Sequence, residues 1–282
     1  MNQHASVADE HGALTRIAQI AFHEAGLSYQ PENLSMIKSR LGPRLRQLGM
    51  KDVHAYLGFL SRADSADERR EMVTALTTHF SQFFREPHHF DLLRQKVIAP
   101  QLDHIRNKGR FRLWSAGCAD GKEPYSMAMT VLDLLPDAAQ FDIRILATDV
   151  DHKVLARARN IDFPADCAKD VPVWARHGFS RRDDQYCIAP NVAALVGFKQ
   201  LNLHAPWPMR RAFDAIFCRN VLIYFSTDDQ IKIIKRFAAA LTPGGWLFLG
   251  HSERLPDACR AIFAPAGVTS YRRAHHCEEV QG

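Results

Sequence analysis

The chain has no apolar run approaching the ~20 residues that a membrane-spanning helix needs, so no direct membrane insertion is expected. Its opening, MNQHASVADEHG, has neither the basic flank nor the apolar core of a secretory signal, which predicts a cytoplasmic location. The six cysteines (118, 167, 187, 218, 259 and 277) form no CxxC pair. That excludes zinc knuckles and a disulfide framework and leaves reduced, structural thiols. His88–His89 and His275–His276 are adjacent pairs without an HExxH, and neighbouring histidines seldom converge on a metal without partners, so no metal is expected. An NPPY-type base-flipping signal is absent, as is any interleaving of aromatic with basic residues, which disfavours nucleic acid as substrate or partner. There is no internal repeat and no low-complexity tract.

What is present suits a soluble globular protein. Apolar residues make up 46% and charged residues 24% of 282 residues, enough chain for two units. Lys and Arg exceed Asp and Glu by 36 to 31, a formal charge of +5. The excess is local. Between Glu32 and Asp52 there is no acid, while Lys38, Arg40, Arg44, Arg46 and Lys51 fall there. Such a run is either a solvated helix face or a landing strip for an acidic partner.

Residues from about Leu14 to Arg85 predict a helical bundle. Leu14, Ile17, Ala18, Ala21 and Phe22 recur at helical spacing, as do Leu34, Ile37, Leu41, Leu45 and Leu48. Gly42–Pro43 predicts a break or bend in the second helix. In THFSQFFREPHHF the phenylalanines read as core, whereas Arg85 amid so much apolar surface needs an anionic or aromatic partner. Then come strand–helix units: Phe111–Ala116 before a helix from Pro124, and Phe141–Asp149 before a helix over 150–159. Their succession predicts a parallel sheet with right-handed crossovers. Prolines 164, 172 and 190 predict a small antiparallel insertion over 160–200. A strand at 213–220, a helix over 228–241, a stop, turn and strand over 241–255, and a last strand over 267–272 complete the pattern.

The stretch FRLWSAGCADGKEPYSMAM organises the rest: a strand, a glycine turn and a helix start, where open α/β sheets bind small molecules. Gly121-Lys122 is followed by Glu123 and not by the hydroxyl residue of a Walker loop. Gly117 and Gly121 have the wrong spacing for a dinucleotide fingerprint, and Glu123 would repel phosphate. S-adenosylmethionine, which has no phosphate, a cationic sulfur and two ribose hydroxyls, fits better. Asp149 at a strand end is positioned for those hydroxyls, with a simple helix N-cap as the alternative.

The motifs THFSQFFRE, WSAGCADGKEPYS, ATDVD, LNL, FDAIFCRNVLIYF and LTPGGWLFLGHSERL occur in one order over about 14–273, and the chain resembles the CheR-type chemotaxis receptor methyltransferase family. The resemblance implies an all-α N-terminal domain (1–90) before a class I, Rossmann-like S-adenosylmethionine-dependent α/β methyltransferase domain (91–282) with a small antiparallel β-subdomain. It implies methylation of glutamate side chains on a chemoreceptor helical bundle, with S-adenosylhomocysteine as product; a monomer is the default expectation. By motif, His79, Ser81, Arg85, Gly117, Glu123, Asp149, Asn202, Leu203, Arg219 and Asn220 would contact the cofactor. Arg85, Arg219 and Tyr224 would border the methyl-transfer position. Lys38, Arg40, Arg44 and Arg46 become candidates for receptor binding. His79 and Ser81 stand where the family commonly has asparagine and threonine, and Lys122 stands where it has glutamate. These departures keep open an alternative, a regulatory cofactor-binding module without methylation. The segment RHGFSRRDDQYCIAP, which has no GxG, resembles the type that docks without a receptor pentapeptide.

Overall fold

The computed structural model describes residues 2–78, 80–160, 162–164, 167, 169, 171–182, 185–209 and 212–274, with the side chains of 2–8, 181, 182 and 185 left undescribed. His79, His275–His276 and Cys277 lie outside the described residues. The chain divides into two compact units: residues up to 79 with 202–204 and 224–226, and the remainder.

The first unit is all-α: α1 (Asn2–Ala25), α2 (Leu34–Gln47), α3 (Val53–Leu60) and α4 (Ala66–Leu76). Most residues that recur at helical spacing are buried, among them Leu14, Ile17, Ala21, Leu34, Ile37, Leu41, Tyr56 and Met72, while Ala18, Phe22, Leu45 and Leu48 are half-buried. Asp52 caps α3, accepting the Ala55 amide at 2.9 Å. α2 runs through Pro43 as one helix, so of the expected break or bend the break does not occur. Ser39, whose carbonyl loses its amide partner to the proline, is exposed, so water can satisfy it.

The second unit is α/β. Its elements are α5 (Pro87–Leu92), α6 (Leu102–Arg106), β1 (Phe111–Ala116), α7 (Lys122–Leu134), β2 (Ile143–Asp149), α8 (His152–Arg159), β3 (Asp162–Pro164), β4 (Phe179–Arg182), β5 (Gln185–Ile188), α9 (Pro190–Ala193), β6 (Val196–Gln200), β7 (Phe213–Cys218), α10 (Thr227–Ala240), β8 (Leu241–Leu249), β9 (Phe263–Gly267) and β10 (Ser270–Arg273). A seven-stranded sheet has the order β6-β2-β1-β7-β8-β10-β9. Its first five strands are parallel, and β10 and β9 close it antiparallel. β1 and β2 are in register from Phe111 opposite Ile143 to Ala116 opposite Thr148, so both end at the same level. The chain builds outward from β1 to one side, then returns beside it with β7. That topological switch opens a crevice at the carboxyl ends of β1 and β7. The fold class is the expected one.

Three details differ from expectation. The antiparallel sheet, β3-β5-β4, ends at Ile188, and β6 belongs to the main sheet as a parallel edge strand. In β8 the turn predicted at Thr242–Gly245 is a bulge inside the strand: Leu241 opposes Phe213, and the next matched pair is Trp246 with Ala215. The last strand is a hairpin of two, with Gly267 ending β9 rather than starting β10.

Candidate functional site

The turn after β1 is tight. Gly117, Ala119 and Gly121 have φ of 84°, 46° and 89°, a region where only glycine is unstrained. A Cβ on Gly117 would lie 2.3 Å from Val221 of the turn after β7, and one on Gly121 3.0 Å from Ala158 of α8. Asp149, the last residue of β2, is 7% exposed. Its carboxylate accepts the Ala119 amide at 2.9 Å and the Asp151 amide at 3.0 Å. The helix N-cap is Asp151, which accepts the Lys153 amide at 2.8 Å, so the capping alternative for Asp149 falls away. Lys122 is not a lone cation: it pairs with Asp120 and lies 5.5 Å from the Phe163 ring centre. The site thus holds three acids: Asp120 offsets Lys122, Glu123 is shared with Arg219, and Asp149 is held by backbone amides. Such carboxylate acceptors suit ribose hydroxyls and a cationic cofactor better than phosphate, so the residues present fit S-adenosylmethionine.

The FFRE segment is anchored by its phenylalanines. Phe83 packs edge-on against Phe163 and Phe179, with centroids 5.1 Å away in both cases, and Phe84 against Phe90 and Trp174. The Phe84 amide donates to the Ser126 hydroxyl at 3.0 Å. Phe84 and Glu86 both adopt left-handed backbone, φ 52° and 58°. A buried arginine holds this shape. Arg219, its side chain 2% exposed, donates to the Arg85 carbonyl, lies 3.3 Å from Glu86 Oε2, and donates to Glu123 Oε2 at 3.1 Å. Glu123 also accepts the Ser115 hydroxyl at 2.7 Å. Burial pushes the Glu123 carboxyl up, against the Arg219 guanidinium that holds it down. At Glu86 burial also pushes upward, but Arg219, the His251 amide and His89 bring the carboxyl below its usual range.

Arg219 therefore faces two carboxylates of its own chain, which leaves little for the acceptor it was expected to border. Arg85 differs. It is half-buried, its side chain makes one long bond, to the Phe80 carbonyl at 3.4 Å, and it has no carboxylate partner among the described residues. Ser81 is half-buried on the same segment. Glu86, His88 and His89 bring three potential ligand atoms within 4.8 Å of one another, a convergence not foreseen from the sequence. Arg219 already supplies positive charge to that carboxylate. Burial and Arg219 push the His89 imidazole down to about 4.

Asn220 follows Arg219 with φ 60°. Its turn is held by Glu253 of the GHSE motif, a residue sequence reasoning quoted without assigning it a role. Glu253 accepts the amides of Asn220 (2.9 Å), Val221 (2.8 Å), Leu222 (2.7 Å) and Gly250 (2.6 Å). Glu86 and Ser115 were likewise missed. Each stands inside a motif, Glu86 in the loop before α5, Ser115 near the end of β1 and Glu253 in the turn after β8, and a polar residue in such a motif was the available clue.

The remaining expected site residues fall in the first unit. Asn202 accepts the His204 amide and donates to the Glu24 carbonyl at 3.0 Å; Leu203 is buried. The Tyr224 hydroxyl accepts the Thr78 amide at 3.2 Å. On α2, Arg44 is taken by Glu68, with Nε–O 2.9 Å, and Arg40 donates to the Leu76 carbonyl. Lys38 pairs with Glu10 at 2.7 Å but stays 55% exposed, and Arg46 is exposed.

Two family models match the chain: "CheR methyltransferase, all-alpha domain" over residues 12–77 and "CheR methyltransferase, SAM binding domain" over 79–271. The chain is 41% identical over 256 residues to the probable chemotaxis protein methyltransferase of Rhizobium etli, covering 89% of this chain and 96% of that one. It is 36% identical to the chemotaxis protein methyltransferase of Escherichia coli, covering 96% and 93%. The counterpart from Borreliella burgdorferi is 32% identical, covering 86% and 88%.

Proposed function

The chain belongs to the CheR methyltransferase family, and from that premise we propose that it transfers methyl groups from S-adenosylmethionine to glutamate side chains of chemoreceptors, forming methyl esters in chemotaxis adaptation. The supporting observation is the pairing of an acid-lined turn with an adjoining loop that carries an arginine lacking a carboxylate partner among the described residues.

S-adenosylmethionine, when bound, supplies an electrophilic methyl group on a cationic sulfur. Asp149 is assigned its ribose hydroxyls, and the Asp120–Glu123 turn its cationic part. Asn202 and Leu203 are assigned its adenine. A glutamate acceptor is already ionised near neutral pH, so the protein needs no general base. No thiol competes as a nucleophile at the turn ends: burial pushes both Cys118 and Cys218 well up, and they stay protonated. Arg85 is assigned the acceptor carboxylate, which it would orient and partly desolvate through charge-assisted bonds. That attraction has to stay moderate, because the carboxylate loses its charge as it is esterified. Arg219 is assigned the support of this loop, and Tyr224 the aiming of the acceptor. Lys38 and Arg46 on α2 are assigned to an acidic receptor helix, where exposed charges speed encounter more than they tighten binding.

The regulatory alternative rested partly on Lys122, and the Asp120 pair removes that half of its case. Incubation with methyl-labelled S-adenosylmethionine and receptor cytoplasmic fragments tests the reading. Label that mild alkali releases as methanol supports a carboxyl ester; alkali-stable label on nitrogen would refute it.

A further inference from the structure

We propose that Glu253 is a positioning residue for methyl transfer: without touching the reactants, it fixes the turn after β7 and, through Arg219, the loop that presents Arg85. The inference rests on the function proposed above and deepens it.

One carboxylate gathers four backbone amides at 2.6–2.9 Å, three of them consecutive residues of the turn after β7 and the fourth from the end of β8. Glu253 is 5% exposed, so little water competes for these bonds. The turn needs such a clamp. Asn220 sits at φ 60°, a strained conformation for a side chain-bearing residue, and the four bonds over-determine it. Space is as tight as the bonding: a Cβ on Gly250 would come within 2.7 Å of the Asn220 backbone nitrogen and 2.9 Å of Glu253 Oε2.

From the clamp the contacts run on in a ring. Arg219, at the head of the turn, donates to the Arg85 carbonyl and pairs with Glu86. Glu86 in turn accepts the His251 amide at 3.2 Å, two residues before Glu253. Three segments, 85–86, 219–222 and 250–253, therefore brace one another in a closed circuit. Opening it at Glu253 releases the turn and loosens the arginine that shapes the acceptor loop. Glu253 makes no direct bond to Asp149 or the glycine turn; the cofactor side is reached at second hand, through Arg219, which also donates to Glu123, and through Val221 packed on Gly117.

The variant to make is Glu253→Gln, which replaces one accepting oxygen by a donor facing amide donors. It should lower kcat for receptor fragments at least about tenfold, as a misplacement of about 1 Å costs up to a hundredfold, while KM for S-adenosylmethionine moves less than about threefold. Amide hydrogen exchange should quicken at 220–222 and 250 and stay unchanged in β1, β2 and α7. Gly250→Ala, which wedges the same turn and keeps the charge, should reproduce both effects and carries the comparison if Glu253→Gln does not fold. Wild-type kcat in a folded variant, or an unchanged exchange pattern, overturns the inference. A parallel loss of kcat and cofactor affinity with general quickening of exchange also overturns it, since that marks a merely structural role. A wild-type protein that transfers no methyl group would instead overturn the function on which the inference rests.

Discussion

At the scale of single residues, two arginines divide the work. Arg219 is buried between Glu86 and Glu123, and removing one member of such a group leaves uncompensated charge. Arg219→Ala should cost about 3–5 kcal/mol of stability, measured by urea denaturation, and Arg219→Lys should not restore it, because an ammonium cannot span both carboxylates and the Arg85 carbonyl. Arg85→Ala and Tyr224→Phe should instead lower turnover more than cofactor affinity; unchanged turnover in both would remove them from the site. Lys122→Gln should leave S-adenosylmethionine affinity, read by calorimetry, within about threefold, because Asp120 already cancels its charge locally. His89 gives a pH signature. Its imidazole falls from 6.5 to about 4 on folding, so the unfolded chain binds the extra proton in between. The stability that His89 contributes is full above pH 6.5 and is lost as pH drops towards 4, with Glu86 acting in the same direction at lower pH. The unfolding midpoint should decline across that window, and His89→Gln should flatten the decline.

At the scale of elements, α2 separates structure from docking. Arg44 pairs with Glu68, which also accepts the Tyr56 hydroxyl at 2.7 Å, so Arg44→Ala should destabilise the helical unit by roughly 2–4 kcal/mol. Arg46→Glu should leave stability unchanged and weaken the salt dependence of receptor KM; the reverse pattern would make α2 purely structural. The basic run was legible in the sequence, but which of its cations are spent internally was not, because Glu68 lies 24 residues on from Arg44. The strands β1, β2 and β7 were legible from their apolar runs and the Asp149 terminus. The edge strand β6 was not: VGFKQ has no fully buried residue, and its alternation is confined to a few residues before two exposed polar ones. Glu253 was visible only as a motif letter, since three of its four amide partners lie 31–33 residues earlier. A carboxylate that binds backbone leaves no side-chain partner for a pattern to reveal.

At the scale of the whole molecule, the boundary between the two family models, at 77–79, falls where the first unit's main segment ends, although that unit also takes in 202–204 and 224–226. The charge of +5 is modest, so long-range attraction to an acidic receptor should fade between low and physiological salt. The central claim, that the acid-lined turn and the Arg85 loop serve glutamate esterification, is tested most directly by mapping the modified atom. Receptor cytoplasmic fragments methylated by the wild-type protein would be digested under mildly acidic conditions and sequenced by tandem mass spectrometry. The account predicts methyl groups on glutamate side chains, fewer with Arg85→Ala and absent where those glutamates are replaced by alanine. Methyl groups confined to lysine, arginine or the backbone terminus would contradict it.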